Sequence, residues 1–290
     1  MKKWYLLGIV FLFSMSCFSQ VTLHLGGSKP IEYETLDSGA VRLFYEMKSV
    51  KDPAKPDKLT EDYMALEIGE NGVSRFYSDN KRRQDSLLIE AFKTSSNHAN
   101  LGKLFKDAGI PSGGDQREIF KNYPEGKITV TDHIVSASYL YEEDLNEIQW
   151  QILPDTKTIL SYSCQKAVTD FRGRHYEAWF TPDLPINDGP WKFRGLPGLI
   201  LSIEDSNKHF SFIAVALENI STPVTFPKKD YIKTSRKEVA KIQKRFIQDP
   251  MGFINDSNPG MNVTVKVQNE DGSVSSGNEI KIPYNPIELD

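Results

Sequence analysis

The sequence predicts an α+β fold that is mainly β: a curved antiparallel sheet or half-open barrel with a few packed helices. Three observations carry this. From Lys127 onward, runs rich in aromatic and β-branched residues follow one another closely. Short turn chemistry such as "PDT", "RGR" and "DSNK" separates them. No helix-length segment intervenes, which argues against a parallel sheet with helical crossovers.

Taken in order, "GAVRLFYEMKSV" (Gly39 to Val50) is strand-like, and a charged connection with two prolines, Pro53 to Lys58, follows it. In "DYMALEIGENGVSRFYS", Glu70, Asn71 and Gly72 lie between two apolar runs, and Asn-Gly favours the positive backbone angles of a hairpin turn. Asp85 is placed to cap a helix over "SLLIEAFK". A second helix is expected within Asn97 to Ala108, with Gly109 as its stop and Pro111 after it. The strand runs are "KITVTDHIV", "ASYLYEE", "IQWQIL", "KTILSYSCQKAVTDF", "HYEAWFT", "LILSIED" and "HFSFIAVALENI". Ser235 with Glu238 forms a capping box for a helix whose Val239, Ile242 and Phe246 share the face turned to the sheet. The polar tail from Met261 is expected to hold a short strand and loops.

The first 19 residues read as an export signal: basic Lys2 and Lys3, then an apolar run from Trp4 to Phe13, with cleavage after Ser19. That run is shorter than the ~20 residues a membrane span needs. Lipidation at Cys17 is the competing reading, weakened by Ser14 where a lipoprotein signal usually has Leu. Residues 20–290 then form one domain, exported to the periplasm or the outer membrane. Losing Lys2 and Lys3 takes the net charge from -4 to -6, which argues against nucleic acid and anionic membranes as partners. One cysteine, Cys164, remains, so no internal disulfide supports the fold.

The chemistry-bearing candidates are few. His175 and Glu177, two apart on a strand, point the same way and can begin a metal site; the competing reading is a solvent-facing polar strand. Neither His-Glu-x-x-His nor Pro-Cys-x-x-Cys accompanies them. Cys164 with His175 on the next strand is conceivable as a nucleophile and its base, against the simpler role of a buried apolar residue. No Gly-x-Ser-x-Gly elbow, phosphate loop or dinucleotide fingerprint occurs, and no motif names a cofactor. The acids of "YEEDLNE" read as a solvated charge run. The densest pattern is "DGPWKFRGLPGLILSIED" (Asp188 to Asp205). Leu196-Pro197-Gly198-Leu199 is a type II turn signal that needs a positive angle at Gly198, and Asn187 to Pro190 is a second turn. Between them Trp191 and Phe193 are expected to cover the core, with Lys192 and Arg194 pointing outward as a binding link.

At these residues the chain resembles the GLPGLI family, exported proteins of Bacteroidetes-type bacteria, through Gly195-Leu196-Pro197-Gly198-Leu199-Ile200. The resemblance extends through "YSCQKA", "GRHYEAWF" and "LPINDGPWKFRG", more weakly through "LEIGENGVSRFYS" and "YNPIEL". It implies a Gram-negative envelope, where "DSL" at Asp85 to Leu87 makes Ser86 a possible O-glycosylation acceptor. It carries no activity. The functional expectation is a non-catalytic envelope binding or carrier module, whose apolar groove would take a lipid, a peptide or an envelope protein. An accessory to metal or nutrient uptake, or an envelope hydrolase, is the alternative.

Overall fold

The computed structural model describes residues 31–94, 106–110, 113–145, 148–257, 266–268, 274–276 and 282–289. The expected signal segment, Cys17 and most of the expected second helix lie outside them. The elements in chain order begin with β1 (Glu32–Asp37), β2 (Gly39–Val50), β3 (Leu59–Gly69), β4 (Ser74–Ser78) and α1 (Asp79–Thr94). β5 (Glu118–Lys121), β6 (Lys127–Ile134), β7 (Ala137–Asp144), β8 (Gln151–Ile159), β9 (Tyr162–Phe171) and β10 (Arg174–Thr181) follow. The chain continues with β11 (Leu199–Asp205), β12 (Phe210–Asn219), β13 (Val224–Lys228), β14 (Tyr231–Lys233), α2 (Arg236–Gln248) and α3 (Pro250–Ser257). A short pair, β15 (Lys266–Gln268) and β16 (Val274–Ser276), comes last.

Twelve strands form one open sheet in the order β14-β7-β6-β5-β4-β3-β2-β12-β11-β10-β9-β8, antiparallel except where the short β14 joins β7. The expected mainly-β α+β class is what the chain adopts. Local chemistry explains most junctions. The β3–β4 hairpin turns at Gly72 with φ +83, and the Asp37 carboxylate accepts bonds from the Asn71 backbone (2.9 Å) and side-chain amide (2.7 Å). Ser235 caps α2, accepting from the Glu238 amide at 3.3 Å. Val239 and Phe246 are buried as the spacing required, and Ile242 packs against the same core.

Two local expectations fail for identifiable reasons. The run "KTILSYSCQKAVTDF" is two strands, because Leu160 and Ser161 both take positive φ (48 and 69) and close a hairpin. Neither residue is a usual signal for that turn. The helix α1 starts at Asp79, with the Ser78 hydroxyl accepting from the Lys81 amide, so Asp85 is an interior residue paired with Lys81. Ser86 is exposed on that helix, its hydroxyl donating to the Arg82 carbonyl.

Cross-strand register divides the sheet into two faces, because side chains alternate along each strand. The inner face carries Leu43 and Tyr45 of β2, Met64 and Leu66 of β3, Phe76 of β4, Val130 of β6 and Tyr176 of β10, all buried. Link 182–198, helix α2 and the segment 282–289 cover it. Across β4 to β7 the outer face is covered by the β1–β13 ribbon, whose Phe226 stacks edge-on against Phe120 at 4.8 Å.

Candidate functional site

The inner face is not wholly apolar. β6 alternates Ile128, Val130, Asp132 and Ile134 on its core side, so its period of two delivers an acid among hydrophobic residues. Across the register, Asp132 faces Tyr139, Val130 faces Tyr141 and Ile128 faces Glu143. Two polar groups result.

The first surrounds Asp132. Its carboxylate accepts from the His133 amide at 2.7 Å and from the Gln243 side chain of α2 at 2.5 Å. Arg117 holds Asp115 through two guanidinium bonds (2.8 and 2.5 Å) and stacks its guanidinium over the Trp191 ring at 4.4 Å. Asp62 accepts from Ser78 and Asn80 (2.9 Å each) and from the Asp115 amide at 2.9 Å. Burial pushes the Asp132 carboxyl up to about 6; Arg117 opposes that and Asp115 reinforces it. Burial would raise Asp115 as well, but Arg117 reverses it and holds that carboxyl below its ordinary value. Lys51 is exposed to water, yet desolvation lowers its ammonium pKa, with Asp115 and Arg117 among its neighbours. Together these residues place a carboxyl whose pKa is raised to about 6 beside one held below its ordinary value, the separation of neighbouring carboxyl pKa values that acid–base chemistry uses.

The second group lies beside it. Lys192, with a side chain only 2% exposed, reaches Glu143 (2.5 Å), Glu288 (2.8 Å) and the Tyr141 hydroxyl (3.4 Å). Arg172 and Arg236 bridge the same two carboxylates, Arg172 at 2.6 Å from Glu143 and Arg236 at 3.2 Å. The Trp191 indole donates to Glu288 at 3.0 Å, which ties this group to the first through the ring under Arg117. Burial would raise Glu288, but Lys192 outweighs it and the carboxyl is held low.

The link 187–198 is therefore a scaffold for both groups. Its conformation differs from the extended one expected: Phe193 donates to the Pro190 carbonyl at 3.1 Å and Trp191 takes a φ of 53, so the turn lies within the link. Trp191 and Phe193 are buried as expected, but Lys192 is buried with them and only Arg194 is partly exposed. Gly198 has no positive φ; a side chain there would strike the Thr181 backbone carbonyl. Close packing, not turn geometry, requires that glycine. Lys121, also buried, ties the link to β5 through Asp188 and the Gly189 carbonyl (2.5 Å).

His175 and Glu177 do share the outer face, but each has another partner. His175 lies 2.9 Å from Asp170, and Glu177 accepts from Lys166 at 2.6 Å and from the Trp179 indole at 3.0 Å. Among the described residues no group of three or more His, Cys, Asp or Glu is placed to hold a metal ion. Cys164 is buried, and burial raises its thiol pKa, against thiolate chemistry. His175 pairs with Asp170, roughly 20 Å along β9 from Cys164 at ~3.3 Å per residue, so the two do not meet.

Asp115, Arg117, Asp132 and Glu288 were not singled out from the sequence, and Glu143 was read as part of a solvated charge run. A usable signal existed for two. Asp132 interrupts an apolar row at even spacing, and Glu143 shares the parity of Tyr139 and Tyr141 within a run taken as solvated.

A family model described as "N-glycanase peptide, N-terminal domain" matches residues 123–243. Two solved structures are similar: "Structure of PNGF-II in P21 space group" at 13% identity and TM-score 0.46, covering 70% of this chain and 33% of that one; and "Structure of PNGF-II in C2 space group" at 14% identity and TM-score 0.47, covering 70% and 32%. The chain thus spans about a third of the length of the solved structures it matches. No curated protein sequence matches.

These findings correct two expectations. The family model overturns the GLPGLI resemblance, whose glycines and prolines serve link packing here. It also overturns the non-catalytic carrier, pointing instead toward the hydrolase alternative. The geometry agrees, since the inner face that would have offered an apolar groove is filled by Phe193, Leu196, Val239 and Ile287.

Proposed function

We propose that this chain is an N-glycanase-type hydrolase acting on the glycan-bearing segment of glycoproteins, with the Asp132 group as the place of proton transfer. The observation that carries this is a coincidence of position. The matched segment, 123–243, supplies Asp132, Trp191 and Gln243 to this group, and Tyr141, Glu143, Lys192 and Arg236 to the group beside it. Hydrolysis needs a proton for the leaving group and a base for water. Asp132, protonated up to about pH 6, suits the first need, and ionised Asp115 on Arg117 suits the second. Lys51, exposed beside Asp115 and Arg117, marks the side of this group that faces solvent.

The test is incubation of the full chain with a glycoprotein carrying N-linked oligosaccharides, with released glycan followed by mass spectrometry. Release is expected, falling on the basic side of about pH 6 as Asp132 ionises, and Asp132→Asn should cut the rate by about a hundredfold or more. No release by the parent chain would overturn the hydrolase reading. Undiminished release by Asp132→Asn would remove Asp132 from it.

A further inference from the structure

The outer face offers a second feature. The β1–β13 ribbon covers the half built by β4 to β7, while across β3, β2 and β12 to β9 the outer face carries a band of side chains that are exposed or partly exposed, Ser202 excepted. There the register aligns one side chain from each of six strands in a single transverse row: Tyr63, Glu46, Ile213, Ser202, Trp179 and Lys166. Tyr63 is 46% and Ile213 44% exposed, and Trp179 is partly exposed. Four strand spacings separate Tyr63 from Trp179, about 19 Å at ~4.8 Å each, so the row is as long as several linked sugar rings.

We propose that this row is a docking surface for the neutral oligosaccharide of a glycoprotein, an inference that rests on the N-glycanase-type reading above. The charges are neutralised within the protein. Lys48 bridges Glu46 (2.9 Å) and Glu61 (3.5 Å), and Lys166 pairs with Glu177 at 2.6 Å. Such a surface has no net attraction for nucleic acid or an acidic lipid. Its apolar groups alternate with polar ones, Glu46 on Lys48 between Tyr63 and Ile213 and the buried Ser202 between Ile213 and Trp179, whereas a protein interface needs a contiguous apolar centre. A sugar chain presents the complementary alternation, C–H faces beside hydroxyls.

Trp179 is fixed for this role. Its indole N–H is already bound to Glu177, which sets the plane of the ring. Lys157 from the edge strand β8 lies over the ring at 4.3 Å and Lys166 at 5.7 Å, so the π-system already receives positively polarised groups. The C–H bonds of a sugar ring are polarised in the same sense and can take that place as the flexible lysine swings to a hydroxyl.

The test is isothermal titration of the full chain with a free high-mannose oligosaccharide. Saturable binding is expected, weakened about tenfold or more by Trp179→Ala and by Ile213→Asp. Ile213 is 44% exposed, so the Asp variant should remain folded at the titration temperature, with its unfolding midpoint lowered slightly by the Glu46 carboxylate opposite, and it guards against misfolding of the tryptophan variant. Absence of saturable binding, or parent-like binding by both outer-face variants, would overturn the proposal. So would sedimentation showing that Ile213 mediates association of two copies of the chain. A parent chain that binds the oligosaccharide but releases none from glycoprotein would defeat the hydrolase reading and leave this surface standing.

Discussion

Trp191 and Trp179 sit on opposite faces of one sheet in nearly the same constellation. Each carries a cation over its ring, Arg117 at 4.4 Å and Lys157 at 4.3 Å. Each donates its indole N–H to a glutamate at 3.0 Å, Glu288 and Glu177. Each glutamate is paired with a lysine, Lys192 at 2.8 Å and Lys166 at 2.6 Å. Only burial differs: the Lys192 side chain is 2% exposed and that of Lys166 is 22% exposed. The same contacts therefore differ in consequence. Inside, ions taken from water depend on one another and fix a geometry; outside, water can replace any partner.

Removing the buried member should separate the two most. Lys192→Met leaves Glu143 and Glu288 with their central cation gone and should cost about 3–5 kcal/mol of stability in urea unfolding. A loss under 1 kcal/mol would show that water already reaches the inner group, and the contrast would fail.

The next effect reads burial through protons. Asp132 has a folded-state pKa of about 6 against an ordinary 3.8, so the folded form keeps a proton that the unfolded form releases in between. Stability contributed by the protonated carboxyl is complete below the unfolded value and is lost as pH rises through that window. Asp132→Asn should match the parent near pH 4 and exceed it by up to about 3 kcal/mol near pH 7, as thermal melts across that range would report. Parallel pH profiles for parent and variant would mean that Asp132 is ionised and fully solvated.

The smallest change belongs to the outer face. Lys166→Met should shift stability by less than about 1 kcal/mol, because Glu177 can turn to water. A larger loss in the same unfolding experiment would make the outer constellation as interdependent as the inner one.

Much of the fold was legible in the chain. Gly72 marked the first hairpin, Ser235 and Glu238 marked the start of α2, and the alternation from Lys127 to Asn219 marked the strands of the sheet. The hairpin at Leu160–Ser161 was not legible, because the strand register selects those positive angles against the preference of both residues. The candidate site was legible only in fragments. Asp132 and Glu143 carry a parity signal, but Asp115, Arg117 and Glu288 sit on irregular segments whose sequence sets no side-chain direction.

By itself, the sequence determined the period of each strand, and hence which side chains share a face, because alternation is a local property of extended backbone. It also determined that Trp191 and Phe193 would be covered, since their apolar area disfavours water wherever the link lies. Tertiary structure alone decided the fate of Lys192. A lysine flanked by aromatics is ordinarily left in solvent, and it can be buried only where carboxylates from distant segments meet it. Here Glu143 comes from β7 and Glu288 from the segment 282–289, 145 positions apart in the chain, and only the folded sheet brings them to one ammonium.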